Sequence, residues 1–215
     1  MACDIACVND GIFRAARPWS VRLGLEGVIV QENEKQLVKT EGLATSLLYH
    51  GDDLYNDGRE DEALACYIGS EQLARQGGFH EITLLSLQRR VSLHSGTGNL
   101  ALAERVAREG IHFSVSIDDM DSLLSFQGRM CAILRRRGIL DEAMEVAFTG
   151  LEVAQNERAV AEEFSFLNHI IAVSIEQDDK ISALRMAKCG MRRAMEHKNL
   201  QWTALFLTTI GSLEE

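Results

Sequence analysis

Six histidines (His50, His80, His94, His112, His169 and His197) and five cysteines (Cys3, Cys7, Cys66, Cys131 and Cys189) are the side chains of this 215-residue chain best suited to ligate a metal, attack as nucleophiles or carry protons. Metal ligation needs such groups at set spacings, which these residues lack, whereas a Cys–His nucleophile pair is left open by the sequence, since such pairs meet only in space. No His-Glu-x-x-His pair occurs, so no single helix face presents a zinc site of that kind. Cys3 and Cys7 could share a helix face, but no nearby His or Cys supplies the further ligands of a closed site. An odd number of scattered cysteines is not a secreted disulfide framework and reads as free thiols in a reducing compartment. Cys131 takes a small-residue position in a packed helix, where a thiol is inert. No Gly-x-x-x-x-Gly-Lys or Gly-x-Gly-x-x-Gly loop offers a phosphate cradle, and Gly96-Thr97-Gly98 reads as a turn between helices. The chain is therefore expected to be no enzyme and to carry no metal or cofactor. Arg135-Arg136-Arg137 precedes a turn, where a helix C-terminus favours positive charge; the same run could orient a charged partner.

The elements that must position these residues are helices. The composition, 46% hydrophobic and 25% charged, is that of a globular protein, while 6% aromatics and a single proline suit long helices better than sheets. A net charge of -10 argues against nucleic-acid or anionic-membrane binding over the whole surface. The acid is concentrated: residues 41–80 hold eight acidic side chains against Arg59 and Arg75. No run of eighteen apolar residues and no signal-type segment is present, so a soluble cytoplasmic protein is expected.

A repeat organises the chain. Ala63, Ala103, Ala143 and Ala183 fall 40 apart, and so do Ser70, Gly110, Gly150 and Gly190. Each unit reads as two helices. In one, Leu84, Leu87 and Val91 recur at helical spacing, Gly98 breaks the pattern, Asn99 is placed to cap, and Leu102, Ala103, Val106, Ala107 and Ile111 resume it. The columns of small residues are expected where two helices approach closely. Residues 1–40 read as a degenerate N-terminal helical segment, with Pro18 in the first turn of a helix through Val21, Leu25, Val28 and Ile29 and with Ile5 to Ala16 as its partner, or as a partly disordered arm. Residues 201–215 read as a capping helix in which Trp202, Leu205, Phe206, Ile210 and Leu213 seal the last unit. Leu207 lies off that stripe and, like Ile12, Phe13 and Trp19 at the other end, could support a homodimer.

These residues resemble the tetratricopeptide repeat family. Leu47, Gly51, Gly58, Ala63 and Tyr67 match its pattern in order, followed by Leu87, Gly98, Ala103 and Ala107, then Cys131, Gly138, Ala143 and Ala147, then Leu167, Ala183 and Ala187. The repeat is longer than the 34-residue form and lacks the closing proline, which resembles the long-repeat branch found in bacterial regulators. The resemblance implies an all-α, right-handed α-α superhelix of about four helix-turn-helix repeats over residues 41–215, with units at about 42–80, 81–120, 121–160 and 161–200 and the capping helix beyond. It further implies a non-enzymatic interaction scaffold, an adaptor, regulator or chaperone, that binds a peptide or partner helix in its concave groove. The alternative it leaves open is a signal-sensing bacterial regulatory protein whose superhelix binds a small ligand or short signalling peptide. The concave positions it implies include Thr45, Leu48, Asp52 and Tyr55; Gln88, Arg89 and Ser92; Arg129, Ala132 and Arg135; and Asn168 and His169. Gln88 and Asn168 could hold a peptide backbone through their amides, and Arg89, Arg129 and Arg135 could pair with carboxylates. The Lys and Asn clamp that some relatives use for C-terminal carboxylates is absent.

Overall fold

The computed structural model describes the chain from Trp19 to Glu215, with side chains from Lys35 onward. The expectations for Cys3, Cys7, Ile5 to Ala16 and Pro18 lie outside the described residues. The described residues form helices joined by short turns: α1 (Trp19–Asn56), α2 (Glu60–Gly77), α3 (His80–Gly96), α4 (Leu100–Ser116), α5 (Met120–Arg136), α6 (Leu140–Asn156), α7 (Val160–Glu176), α8 (Lys180–Glu196) and α9 (Leu200–Glu214). Each packs on the next in chain order. From α2 onward every helix starts twenty residues after the one before it. The 40-residue sequence repeat is therefore two such steps, and the pairs α3–α4, α5–α6 and α7–α8 begin one residue before the expected units.

The rhythm is set at the turns. A left-handed residue stands at every twentieth position: Gly58, Gly78, Gly98, Asp118, Gly138, Arg158, Asp178 and Lys198, with φ from 54° to 80°. At most of these turns the following residue donates its N–H to a carbonyl five positions back, as Ile139 does to Leu134 at 2.9 Å and Asn199 to Ala194 at 2.8 Å. Asp119, Asp179 and Asn199 then accept a free N–H from the first turn of the next helix, that of its third residue, Ser122, Ser182 and Trp202. Asn99 occupies a cap position but makes no cap bond, since its amide donates to Thr97 Oγ1. The same rhythm would place a turn at Val38. A β-branched residue resists φ > 0, and α1 runs through this point unbroken. The leading segment expected to end at residue 40 is thus continuous with the first helix of the first unit.

The alanine column is fully buried at 63, 103, 143 and 183, where neighbouring helices meet. The glycine column has a different reason from the close helix approach expected of it. A Cβ on Gly110, Gly150 or Gly190 would lie 2.4, 2.2 or 2.7 Å from a carbon of Phe126, Phe166 or Phe206. Each glycine is a socket for a ring from the next helix, and those rings are 0%, 1% and 0% exposed. At the first interface the same two positions hold Ser70 and Ser86. There a hydroxyl pair at 3.0 Å replaces ring and socket, and Ser70 Oγ donates to the Ala44 carbonyl at 2.8 Å.

Alternate odd helices also touch, α1 with α3, α3 with α5 and α5 with α7, whereas among the described residues no two even helices pack to that extent. The even row is spanned instead by long charged arms, Arg75 to Glu109 at 2.8 Å and Arg108 to Glu142. The stack therefore bends toward its odd row, which becomes the inner face. At α9 the positions that carry Phe164, Leu167 and Ile171 in α7 hold Ala204, Leu207 and Gly211.

Two stability changes follow from the sockets and turns. Gly150→Ala should cost about 1–3 kcal/mol, because Phe166 has no room to retreat. Phe166→Leu should relieve part of that cost, so a double-mutant cycle from urea denaturation should show a coupling of at least about 0.5 kcal/mol. Lys198→Gly should raise stability by about 0.5–1 kcal/mol, since an L side chain at positive φ is strained and glycine is not; the urea midpoint should rise with an unchanged slope.

Candidate functional site

The inner face carries a polar ladder built by the repeat. A residue on one odd helix meets the residue 37 positions on, one turn back on the next odd helix. Arg89 on α3 grips Asp52 on α1 with two bonds, Nε to Oδ1 at 2.7 Å and Nη2 to Oδ2 at 3.1 Å. Oδ1 also accepts from the Tyr67 hydroxyl at 2.8 Å. Hydrogen bonding to Asp52 holds the Arg89 guanidinium above its ordinary pKa. Burial, reinforced by the Asp52 carboxylate, raises the Tyr67 phenol. Asp52, Tyr55, Asn56, Tyr67, Arg89 and Ser92 wall a cavity of about 350 Å³, but its charged groups already satisfy one another.

The next rung is different. Arg129 on α5 donates to the Ser92 hydroxyl at 2.8 Å. Among the described residues no carboxylate lies within ion-pair distance of it. Burial, and then the charge of Arg89, push its pKa below the ordinary value. Arg129 forms part of the wall of a cavity of about 450 Å³ between α5 and α7. Short side chains, Ser125, Gly128, Ala132, Ala161 and Ser165, keep that cavity open, and Asp121, Glu162 and His169 complete the polar part of its lining. Burial, and then Arg135, lower the His169 pKa to about 4. Its Nδ1 is buried without a hydrogen-bond partner.

Of the residues expected on the concave face, Asp52, Tyr55, Arg89 and Ser92 come together in the first cavity, and Arg129, Ala132 and His169 in the second. Arg89 and Arg135 are expected to meet external carboxylates, but both are already paired within the fold, Arg135 with Glu176 at 3.1 Å. The arginine run is spent on struts: Arg136 donates to the carbonyl and hydroxyl of Ser95, and Arg137 pairs with Glu104. Gln88 and Asn168 line neither cavity. Leu48, expected on the open face, is 3% exposed and packs with Leu54, Ala63, Tyr67 and Leu93. Asp121 and Glu162 were not legible as site residues. Near helix N-termini, acids look like ordinary partners of the backbone dipole. Their position, in the first turn of parallel helices two steps apart, is the signal that places them on one groove.

Burial pushes the Cys131 thiol up to about 12, so it stays protonated and inert. Among the described residues no three His, Cys, Asp or Glu side chains are placed to hold a metal ion. No described helix is long and apolar enough to cross a membrane. No protein-family model and no curated protein matches the chain.

His169 makes stability depend on pH. Its folded pKa of about 4 lies below the ordinary 6.5. The unfolded chain therefore takes up a proton near pH 6.5 that the folded chain refuses until about pH 4, and stability falls as pH drops through that window. Between pH 6.5 and 5 the loss from this group should be about 1–2 kcal/mol. Burial, Arg90 and Arg105 also lower His94, so the check is a comparison. His169→Gln should flatten the pH dependence of the urea midpoint relative to the parent chain, leaving the His94 part in place.

Proposed function

We propose that this chain is a non-enzymatic scaffold of the tetratricopeptide type that binds an extended peptide or partner segment along its inner face. The observation that carries the proposal is the groove between α5 and α7. Its volume of about 450 Å³ is within the range of ligand sites, and beside Leu124 and Phe166 five of its lining residues are serine, glycine or alanine, where a closed interface would have larger side chains. Small walls leave room for a chain, while the hydroxyls of Ser125 and Ser165 offer donors and acceptors to a backbone. The tetratricopeptide reading, and with it a right-handed winding, is supported by the helix pairs at a 40-residue period. A reducing, cytoplasmic setting is supported by unpaired thiols at Cys66, Cys131 and Cys189. Self-association through α9 has thinner support. Leu207 is 51% exposed, but Ala204 and Gly211 beside it leave a shallow face.

Selection of peptides from a random displayed 12-residue library on the immobilised full chain tests the groove. Retained peptides should lose at least about tenfold in affinity on Ala132→Trp, whose indole would fill the groove, while the circular-dichroism melt stays cooperative. Retained peptides that bind Ala132→Trp as well as the parent would place the interaction elsewhere.

A further inference from the structure

We infer that the groove between α5 and α7 selects its occupant by two charges: an acidic group seated on Arg129 and a basic group held near Asp121 and Glu162. This rests on the groove reading above and specifies what fills it.

The other arginines of the inner row are spent within the fold, two on carboxylates and one on a backbone carbonyl and hydroxyl outside the cavity. Arg89 has Asp52, Arg135 has Glu176, and Arg136 has the carbonyl and hydroxyl of Ser95. Arg129 has one side-chain partner among the described residues, the neutral Ser92 hydroxyl. A guanidinium carries five N–H donors in a planar fork, so most of its capacity is left toward the cavity it lines. Burying such a cation without a counter-charge is costly. A carboxylate accepting two of its N–H bonds is the ligand that fits the fork. His169, the other basic side chain of this cavity, is kept neutral at physiological pH by burial and Arg135, so Arg129 alone supplies positive charge to the floor.

The other end of the groove is negative. Asp121 is eight residues before Arg129 on α5, and Glu162 seven before His169 on α7. At the helical rise these separations are about 10–12 Å. Asp121 and Glu162 are exposed, line the same cavity, and pair with no Lys or Arg among the described residues. Just beyond, Asp118, Asp119, Asp121 and Glu157 line a second hollow of about 580 Å³, which deepens the negative potential at that end. A simple anion would be drawn to Arg129 but repelled at this mouth, and an apolar helix would seal Arg129 without a partner. An extended segment with opposite charges three or four residues apart spans about 10–14 Å and satisfies both ends at once.

The test uses the full chain and the same displayed library, followed by synthetic peptides read by fluorescence anisotropy. Retained sequences should carry Asp or Glu three or four positions from Lys or Arg. On the parent chain, Glu→Gln in the peptide should weaken binding about tenfold, and Lys→Gln should do likewise. On Arg129→Met the Glu→Gln penalty should vanish. On the Asp121→Asn, Glu162→Gln double variant the Lys→Gln penalty should vanish. Should Arg129→Met fail to fold, the paired peptides on the parent chain still decide. Peptides blocked by Ala132→Trp but indifferent to Glu→Gln would overturn the charge pairing and leave the groove standing. Peptides indifferent to Ala132→Trp, or no retained peptide at all, would count against both.

Discussion

A phenyl ring can lie against a helix backbone only where that backbone carries no Cβ. Gly110, Gly150 and Gly190 provide that bare surface, and Phe126, Phe166 and Phe206 fill it from the next helix. Protein interiors are packed to crystal density, so a ring seated this tightly permits little sliding or rotation of one helix on the next. The register of each even–odd interface from α4 to α9 follows from it. With that register set, the residue opposite any inner-face side chain is determined. This is why Ser92 meets Arg129 at a 37-residue offset, the same offset that Asp52 and Arg89 keep across the serine-paired interface.

The first interface shows that the constraint can be met by other chemistry. Ser70 and Ser86 occupy the socket and ring positions and hold each other by a buried hydrogen bond, with Ala44 closing the chain of donors. A ring supplies more apolar contact, whereas a hydroxyl pair supplies direction but must be fully satisfied to be tolerated. A buried carboxylate lies at the same interface. Glu71, 6% exposed, is held there by Arg75 and Arg90. Farther along, between α7 and α8, a second buried carboxylate, Glu163, is held by Arg193 with two bonds at 2.9 Å.

The inner face inherits its electrostatics from this frame. Each paired arginine there acts as a strut between odd helices, and its charge is used up by the fold. Arg129 faces Ser92, where a carboxylate would have made one more strut. The difference of one side chain turns a structural contact into a surface with charge to offer. The small residues beside it matter equally. Had Ser125, Gly128 and Ala132 been large, Arg129 would be walled in.

Much of the architecture was legible from the chain. The 40-residue columns, the glycines at the turns and the apolar spacing fixed helix type, number per unit and approximate bounds, because those depend on local backbone preference and on periodicity. Ala63, Ala103, Ala143 and Ala183 were readable as buried for the same reason. What the glycine column does was not readable, since a socket is defined by a ring sixteen residues away. The merging of two expected helices into α1 turned on the absence of a turn residue at Val38, a signal visible only once the twenty-residue rhythm was known. The candidate site divides the same way. Sequence placed Asp52, Arg89, Ser92, Arg129, Arg135 and His169 on one face, which needs only helical phase. Only the packing of α1, α3, α5 and α7 decided which arginines find a carboxylate and which does not, because pairing depends on distances between helices that no local pattern encodes.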